Sequence, residues 1–75
     1  MNYATLLDRH FNESQQRFIR RTVRINAMIG GLKDNTYQEL VDVLGYNKDQ
    51  EPLLRNIINK IYKQMKDEKK YGISN

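Results

Sequence analysis

The chain has 75 residues, with 13 lysines and arginines against 9 aspartates and glutamates, no cysteine and a single histidine, His10. A chain this short forms one domain and buries only about 60% of the surface that its unfolded form exposes. Without cysteine it lacks the ligands of a cysteine–histidine zinc site, so we expect no metal and no cofactor. No apolar run approaches the ~20 residues of a membrane span, and charges at Asp8 and Arg9 interrupt any secretory signal. We therefore expect a cytoplasmic protein with no membrane partner.

The first part of the chain carries apolar side chains at three- and four-residue spacing, which is typical of helices. This spacing predicts helices over residues 3–11 and 14–29, the second capped by Asn12 or Ser14. A single long helix across this point is the alternative. The glycine pair at residues 30–31 then ends the helix, because glycine tolerates the left-handed conformation.

Two more helices are predicted after this stop. Thr36 and Glu39 fit a capping box, in which the Thr36 hydroxyl accepts from the Glu39 amide and the Glu39 side chain reaches back. The helix that follows ends at Gly45, and a polar connection leads to the next one. Pro52 suits the first turn of a last helix over residues 52–71, since its missing N–H costs nothing there.

The predicted fold is all-α: a small bundle of three or four helices in a single domain over residues 1–75. No segment alternates with the period of two that a strand requires. The expected core consists of the apolar positions that share one face of each helix: Leu7, Phe11, Phe18, Ile25, Ile29, Leu40, Leu44, Leu54, Ile57, Ile58 and Ile61.

Arginine is concentrated in the second predicted helix. Residues 16–25 contain four arginines and no acid: Arg17, Arg20, Arg21 and Arg24. Only Glu13, four residues before Arg17, is placed to pair within the helix. Three interpretations remain open: a solvated face answered by distant acids such as Asp42 or Asp49, a grip on phosphates, or contact with an acidic protein. The net charge of +4 and the pI near 9.5 mildly favour a polyanionic partner.

Residues 36–61, TYQELVDVLGYNKDQEPLLRNIINKI, resemble a helix-turn-helix. They combine a threonine cap, a two-turn helix, Leu44-Gly45 at the turn and a helix with apolar pairs. The resemblance implies that the second helix lies in the major groove of DNA. Two features depart from the family pattern: Val41 stands where alanine is usual, and the connection over residues 46–51 is longer than usual. We expect no wing.

The resemblance also implies which side chains face the DNA. They are the outward residues early in the last helix: Arg55, Asn56, Asn59 and Lys63. Asparagine can pair with adenine and arginine with guanine, so these residue types are suited to reading bases. Phosphate contacts by the arginines, or by the lysines of residues 60–70, would supply most of the affinity.

Enzymatic chemistry finds little support in this sequence. His10 and Glu13 share a helix face, but one such pair is far short of a di-metal site, and no nucleophile accompanies the histidine. We predict a non-enzymatic regulatory protein that binds DNA through the helix-turn-helix-like unit and the arginines, with a homodimer left open. The alternative is a small adaptor or inhibitor, of the phage or mobile-element type, that binds an acidic protein. It would use the same arginines, with Met28 and Tyr46 as apolar anchors.

Overall fold

A computed structural model describes residues 3–73, with side-chain surroundings through residue 68. Over residues 3–73 it contains helices and no strand, which confirms the predicted all-α class. The elements in chain order are α1 (Tyr3–His10), α2 (Glu13–Met28), α3 (Lys33–Leu44), a short 3₁₀ turn (Lys48–Gln50) and α4 (Glu51–Ile73).

Asn12 separates α1 from α2. Its side chain accepts a hydrogen bond of 2.8 Å from the Gln15 backbone N–H, and the Gln15 side chain accepts one of 3.0 Å from the Asn12 N–H. This reciprocal capping box begins α2, so the alternative of one continuous helix is wrong, and Asn12 rather than Ser14 is the cap. At the other end Gly30 has φ +75°, which confirms the predicted stop.

The capping box predicted at Thr36 is wrong, because α3 already begins at Lys33. Thr36 lies inside the helix and is fully buried. Its hydroxyl donates to the Leu32 carbonyl at 3.2 Å and lies 2.7 Å from the Tyr62 hydroxyl. A threonine within a helix can satisfy its hydroxyl on the preceding turn. A threonine followed three residues later by a glutamate, as at Thr36 and Glu39, is therefore compatible with both a helix start and a helix interior.

Helix α4 is the centre of the bundle and packs against α1, α2 and α3. Most of the predicted core is confirmed, while Phe18 and Leu44 are only partly buried at its edge. The buried apolar side chains of the described residues are Leu7, Phe11, Ile19, Val23, Tyr37, Leu40, Leu54, Ile57, Ile58 and Ile61.

The predicted core positions Ile25 and Ile29 are wrong, since their side chains are 46% and 75% exposed. Helix α2 instead buries Ile19, Val23 and Asn26. The Asn26 amide donates to the Thr22 carbonyl at 2.8 Å and to the Glu39 carboxylate at 3.1 Å, so a buried polar side chain is satisfied. The buried face is shifted by one residue from the predicted one, about 100° around the helix axis. As a result, the side chains of Ile25 and Ile29 are exposed to solvent instead of lying in the core.

Candidate binding surface on helix α2

The four arginines of α2 are all exposed. Arg17 forms the predicted pair with Glu13, at 2.9 Å between Nη2 and Oε1. Both side chains are about four-fifths exposed, and such pairs contribute little to stability. The Arg20 guanidinium lies over the Tyr3 ring, 5.9 Å from its centroid.

The other arginines of α2 differ from Arg17. Among the described side chains, no carboxylate lies within 4.0 Å of Arg20, Arg21 or Arg24. Asp42 and Asp49, the acids considered as partners from the sequence, form no ion pair with them. Because neighbouring guanidinium groups repel each other, this arrangement is one that an external anion would stabilise.

Apolar side chains are exposed on the same part of the molecule. The end of α2 and the loop after it carry Met28 at 70%, Ile29 at 75% and Leu32 at 68% exposure, next to Ile25. Contiguous apolar groups on a small protein mark an interaction site more often than isolated ones do. Spacings of four, three and four residues place Met28 on the face of Arg17, Arg21 and Arg24.

We name this combination the α2 surface. It consists of four cationic side chains followed by four apolar ones: Arg17, Arg20, Arg21, Arg24, Ile25, Met28, Ile29 and Leu32. The arginines and Met28 were predicted from the sequence. Ile25 and Ile29 were instead predicted to be buried, because the burial of Asn26 depends on its hydrogen-bond partner Glu39, which is distant in the chain.

Arg55, a predicted DNA contact, is held by the fold itself. Its guanidinium lies over the Tyr37 ring, 4.2 Å from the centroid. Nη1 is 3.1 Å from the Asp34 carboxylate, and Nε is 3.9 Å from that of Glu51. Two carboxylates and an aromatic ring therefore contact the Arg55 guanidinium, which favours a structural role for this residue over contact with bases.

Tyr37 belongs to the same group of residues. Burial raises the pKa of its phenol, and the charge of the nearby Glu51 carboxylate raises that pKa further. The phenol donates a hydrogen bond of 3.3 Å to Glu51. Tyr37 thus stays a neutral donor near neutral pH, between the ring contact with Arg55 and the carboxylate.

The remaining predicted DNA contacts lie on the outward face of α4. Asn56, Asn59 and Lys63 are exposed there, as the helical spacing predicts. The structure does not bring them together with Arg55 as one free cationic surface. Acids also surround the start of α4: Glu51 in its first turn and Asp34 of α3 pair with Arg55, and Asp49 lies in the 3₁₀ turn just before α4.

Tyr46, the second predicted anchor, is 63% exposed, and its hydroxyl is 3.4 Å from the Glu51 carboxylate. It follows α3 in the chain and is not part of the α2 surface.

None of the described helices is long and apolar enough to cross a membrane. No protein-family model, curated protein or solved structure matches the chain.

Proposed function

We propose that this protein is a small non-enzymatic adaptor or inhibitor whose α2 surface docks on an acidic protein partner. The observation that carries the proposal is the shared face of α2. Among the described side chains, no carboxylate lies within 4.0 Å of Arg20, Arg21 or Arg24. These arginines adjoin apolar side chains that are mostly exposed, such as Met28.

The residue types of the α2 surface are those that protein interfaces favour. Arginine and methionine are enriched at such interfaces, whereas lysine is depleted. The planar guanidinium can bind a carboxylate through two parallel hydrogen bonds. The exposed apolar side chains supply the hydrophobic contact, and the arginines set the orientation and the charge preference.

The length of α2 suggests the form of the partner. Its 16 residues extend over about 24 Å at a rise of about 1.5 Å per residue. We infer that the partner presents an acidic amphipathic helix of similar length. Apolar side chains at one end of that helix would contact Met28 and Ile29, and its aspartates or glutamates would pair with Arg21 and Arg24.

DNA binding is the second candidate. Asn56, Asn59 and Lys63 share the exposed face of α4, and the unpaired arginines could hold phosphates. Two observations favour a protein partner instead. A phosphate backbone makes no use of the exposed Met28 and Ile29, and the acids around Arg55 would repel phosphates at the start of α4.

The test compares two charge-reversal variants of equal net charge. Arg21→Glu/Arg24→Glu alters the α2 surface, whereas Arg9→Glu/Lys48→Glu alters exposed positions outside it. Each variant and the wild type are titrated with an acidic amphipathic helical peptide and with a version whose glutamates are glutamines. We expect the wild type and the control to bind the acidic peptide, and the α2 variant to lose binding while retaining its helical circular dichroism.

A third variant, Met28→Ser, tests the apolar part and should weaken binding without changing the charge. Equal loss in both charge-reversal variants would contradict a specific α2 surface. Random duplex DNA is titrated in parallel at two salt concentrations. Binding with a log–log salt slope of roughly −3 to −4, as four phosphate contacts imply, would favour the DNA candidate instead.

A further inference from the structure

A cleft forms where α2 ends, α3 begins and the middle of α4 passes beneath them. Its volume is about 470 Å³. The residues that line it include three lysines, an asparagine, a tyrosine and a glycine: Lys33, Lys63, Lys66, Asn59, Tyr62 and Gly31. None of the four arginines of the α2 surface lines it, so the cleft is a separate feature.

The charged residues that line this cleft are all positive. It is lined by three lysines and by no carboxylate. A neighbouring depression on α4 is also lined by Lys63, but there Asp67 and Glu68 contribute opposite charge. Asp34, which follows Lys33 in the chain, is directed to Arg55 at 3.1 Å. Among the described side chains, none of the three lysines has a carboxylate within 4.0 Å.

The walls of the cleft are fixed by contacts between distant segments. The Tyr62 hydroxyl donates to the Gly31 carbonyl at 2.9 Å and lies 2.7 Å from the Thr36 hydroxyl. The Lys33 ammonium is 5.8 Å from the centroid of the Tyr62 ring. A Cβ at Gly31 would lie 3.1 Å from the Asn26 side-chain oxygen, so the loop packs closely on α2. A preformed cleft lowers the ordering cost of binding.

We propose that this cleft binds a small anion with two adjacent phosphoryl groups, of the pyrophosphate type. A terminal phosphoryl group carries about −1.5 to −2 charges at pH 7, so two of them match the charge of the three lysines that line the cleft. The lysines act as mobile point charges on the phosphoryl oxygens. The Asn59 amide adds a neutral donor. The positive end of the α3 dipole lies at the same place, because Lys33 is the first residue of that helix.

The test uses the full chain and pyrophosphate, titrated by calorimetry at low salt. Lys33→Ala/Lys66→Ala removes two cations from the cleft, and Arg9→Ala/Lys48→Ala removes two exposed cations elsewhere. We expect the first variant to weaken binding by at least about tenfold, the effect of about 1.4 kcal/mol. The matched control should bind like the wild type. Asn59→Asp, which places a carboxylate at the cleft, should also lose binding and provides the test if the double variant fails to fold.

Further ligands identify what the cleft selects. Inorganic phosphate should bind more weakly than pyrophosphate, because it offers one phosphoryl group. ADP distinguishes two sources of the same chemistry: tighter binding than pyrophosphate indicates a nucleotide, and equal binding indicates the free anion.

Several outcomes would overturn the proposal: no pyrophosphate binding by the wild type, equal loss in the matched control, or inorganic phosphate binding as tightly as pyrophosphate. Random duplex DNA that competes with pyrophosphate at equal phosphate concentration would also overturn it, since the cleft would then belong to a nucleic-acid surface. None of these outcomes depends on whether the α2 surface binds a protein, because the α2 variants change no residue that lines the cleft.

Discussion

The seam between α3 and α4 and the α2 surface both carry arginine, yet their surroundings differ. We define the α3–α4 seam by its polar side chains and the apolar residue beside them: Asp34, Thr36, Tyr37, Glu51, Arg55, Ile58 and Tyr62. In the seam Arg55 contacts two carboxylates and an aromatic ring. On the α2 surface Arg21 and Arg24 have no carboxylate in reach among the described side chains.

Residue type alone therefore does not determine whether an arginine stabilises the fold or is available for binding. No buried side-chain nitrogen or oxygen of the described residues lacks a hydrogen-bond partner, and the exposed Arg55 of the seam is paired with Asp34 and Glu51. On the α2 surface Arg17 is paired with Glu13, whereas Arg21 and Arg24 have no carboxylate within 4.0 Å among the described side chains. Substitutions in the seam should therefore change the free energy of unfolding, and substitutions on the α2 surface should change binding.

The largest effect is expected at Ile58, which is 1% exposed and adjoins Asp34 and Arg55 at the seam. Ile58→Ala should reduce the free energy of unfolding by ~2–5 kcal/mol through lost burial and a residual cavity. The neighbouring, exposed Asn59 provides the control, and Asn59→Ala should stay within about 0.5 kcal/mol of the wild type. Urea denaturation followed by circular dichroism measures both. Equal destabilisation by the two variants would mean that the inner and outer faces of α4 are misassigned.

A smaller effect is expected at Thr36. Thr36→Val keeps the shape of the side chain but removes the hydroxyl next to Tyr62. The Tyr62 hydroxyl keeps Gly31 as its acceptor, and the Leu32 carbonyl, which also accepts from the Thr36 hydroxyl, keeps the Thr36 backbone N–H as a donor. No partner is left unsatisfied, so the expected loss is about 1 kcal/mol, the net value of one hydrogen bond. Ser14→Ala, at an exposed position, should leave the urea midpoint nearly unchanged. A Thr36→Val midpoint equal to that of the wild type would show that this contact does not stabilise the seam.

The comparison between the two kinds of arginine can be tested directly. Arg55→Ala should destabilise by ~1 kcal/mol, because partly exposed ion pairs contribute up to about 1 kcal/mol and a cation–π contact about as much. Arg21→Ala should cause no loss and even a slight gain, since it relieves repulsion from arginines three and four residues away. Thermal melts of both variants at low and high salt measure the difference. If Arg21→Ala destabilised as much as Arg55→Ala, the distinction between the two regions would fail.

The smallest effect concerns pH. Burial and Glu51 raise the pKa of Tyr37 above its usual value in the folded state. The folded state therefore holds this proton more tightly than the unfolded one. Its contribution to stability is fully present below about pH 10, the ordinary pKa of tyrosine, and is lost as the pH rises through the folded-state pKa.

The measurement compares urea midpoints at neutral pH and above pH 10 in the wild type and in Tyr37→Phe. The wild type should lose more stability at high pH than Tyr37→Phe does. Tyr46→Phe is the matched control, because Tyr46 is 63% exposed, and it should follow the wild type. A Tyr37→Phe variant with the same alkaline loss as the wild type would assign that loss to other groups.

Several features of this protein follow from the sequence alone. The all-α class, a cap at Asn12 or Ser14, the stop at Gly30 and the inner face of α4 were all predictable, and the structure selects Asn12 as the cap. Their causes are local: caps act within one turn of a helix, and a face follows from apolar spacing along a single helix. The exposed positions of Asn56, Asn59 and Lys63 follow from the same spacing.

Other features were decided only by the tertiary structure, because their causes are distant in sequence. Asn26 is buried since Glu39, 13 residues away, accepts from its amide, and this moves Ile25 and Ile29 to the surface. Thr36 is an internal residue paired with Tyr62, 26 residues away. Arg55 is neutralised by Asp34, 21 residues away. A helical-wheel projection describes one helix without its neighbours. Which polar side chains find partners, and which stay free to bind another molecule, depends on how the helices pack.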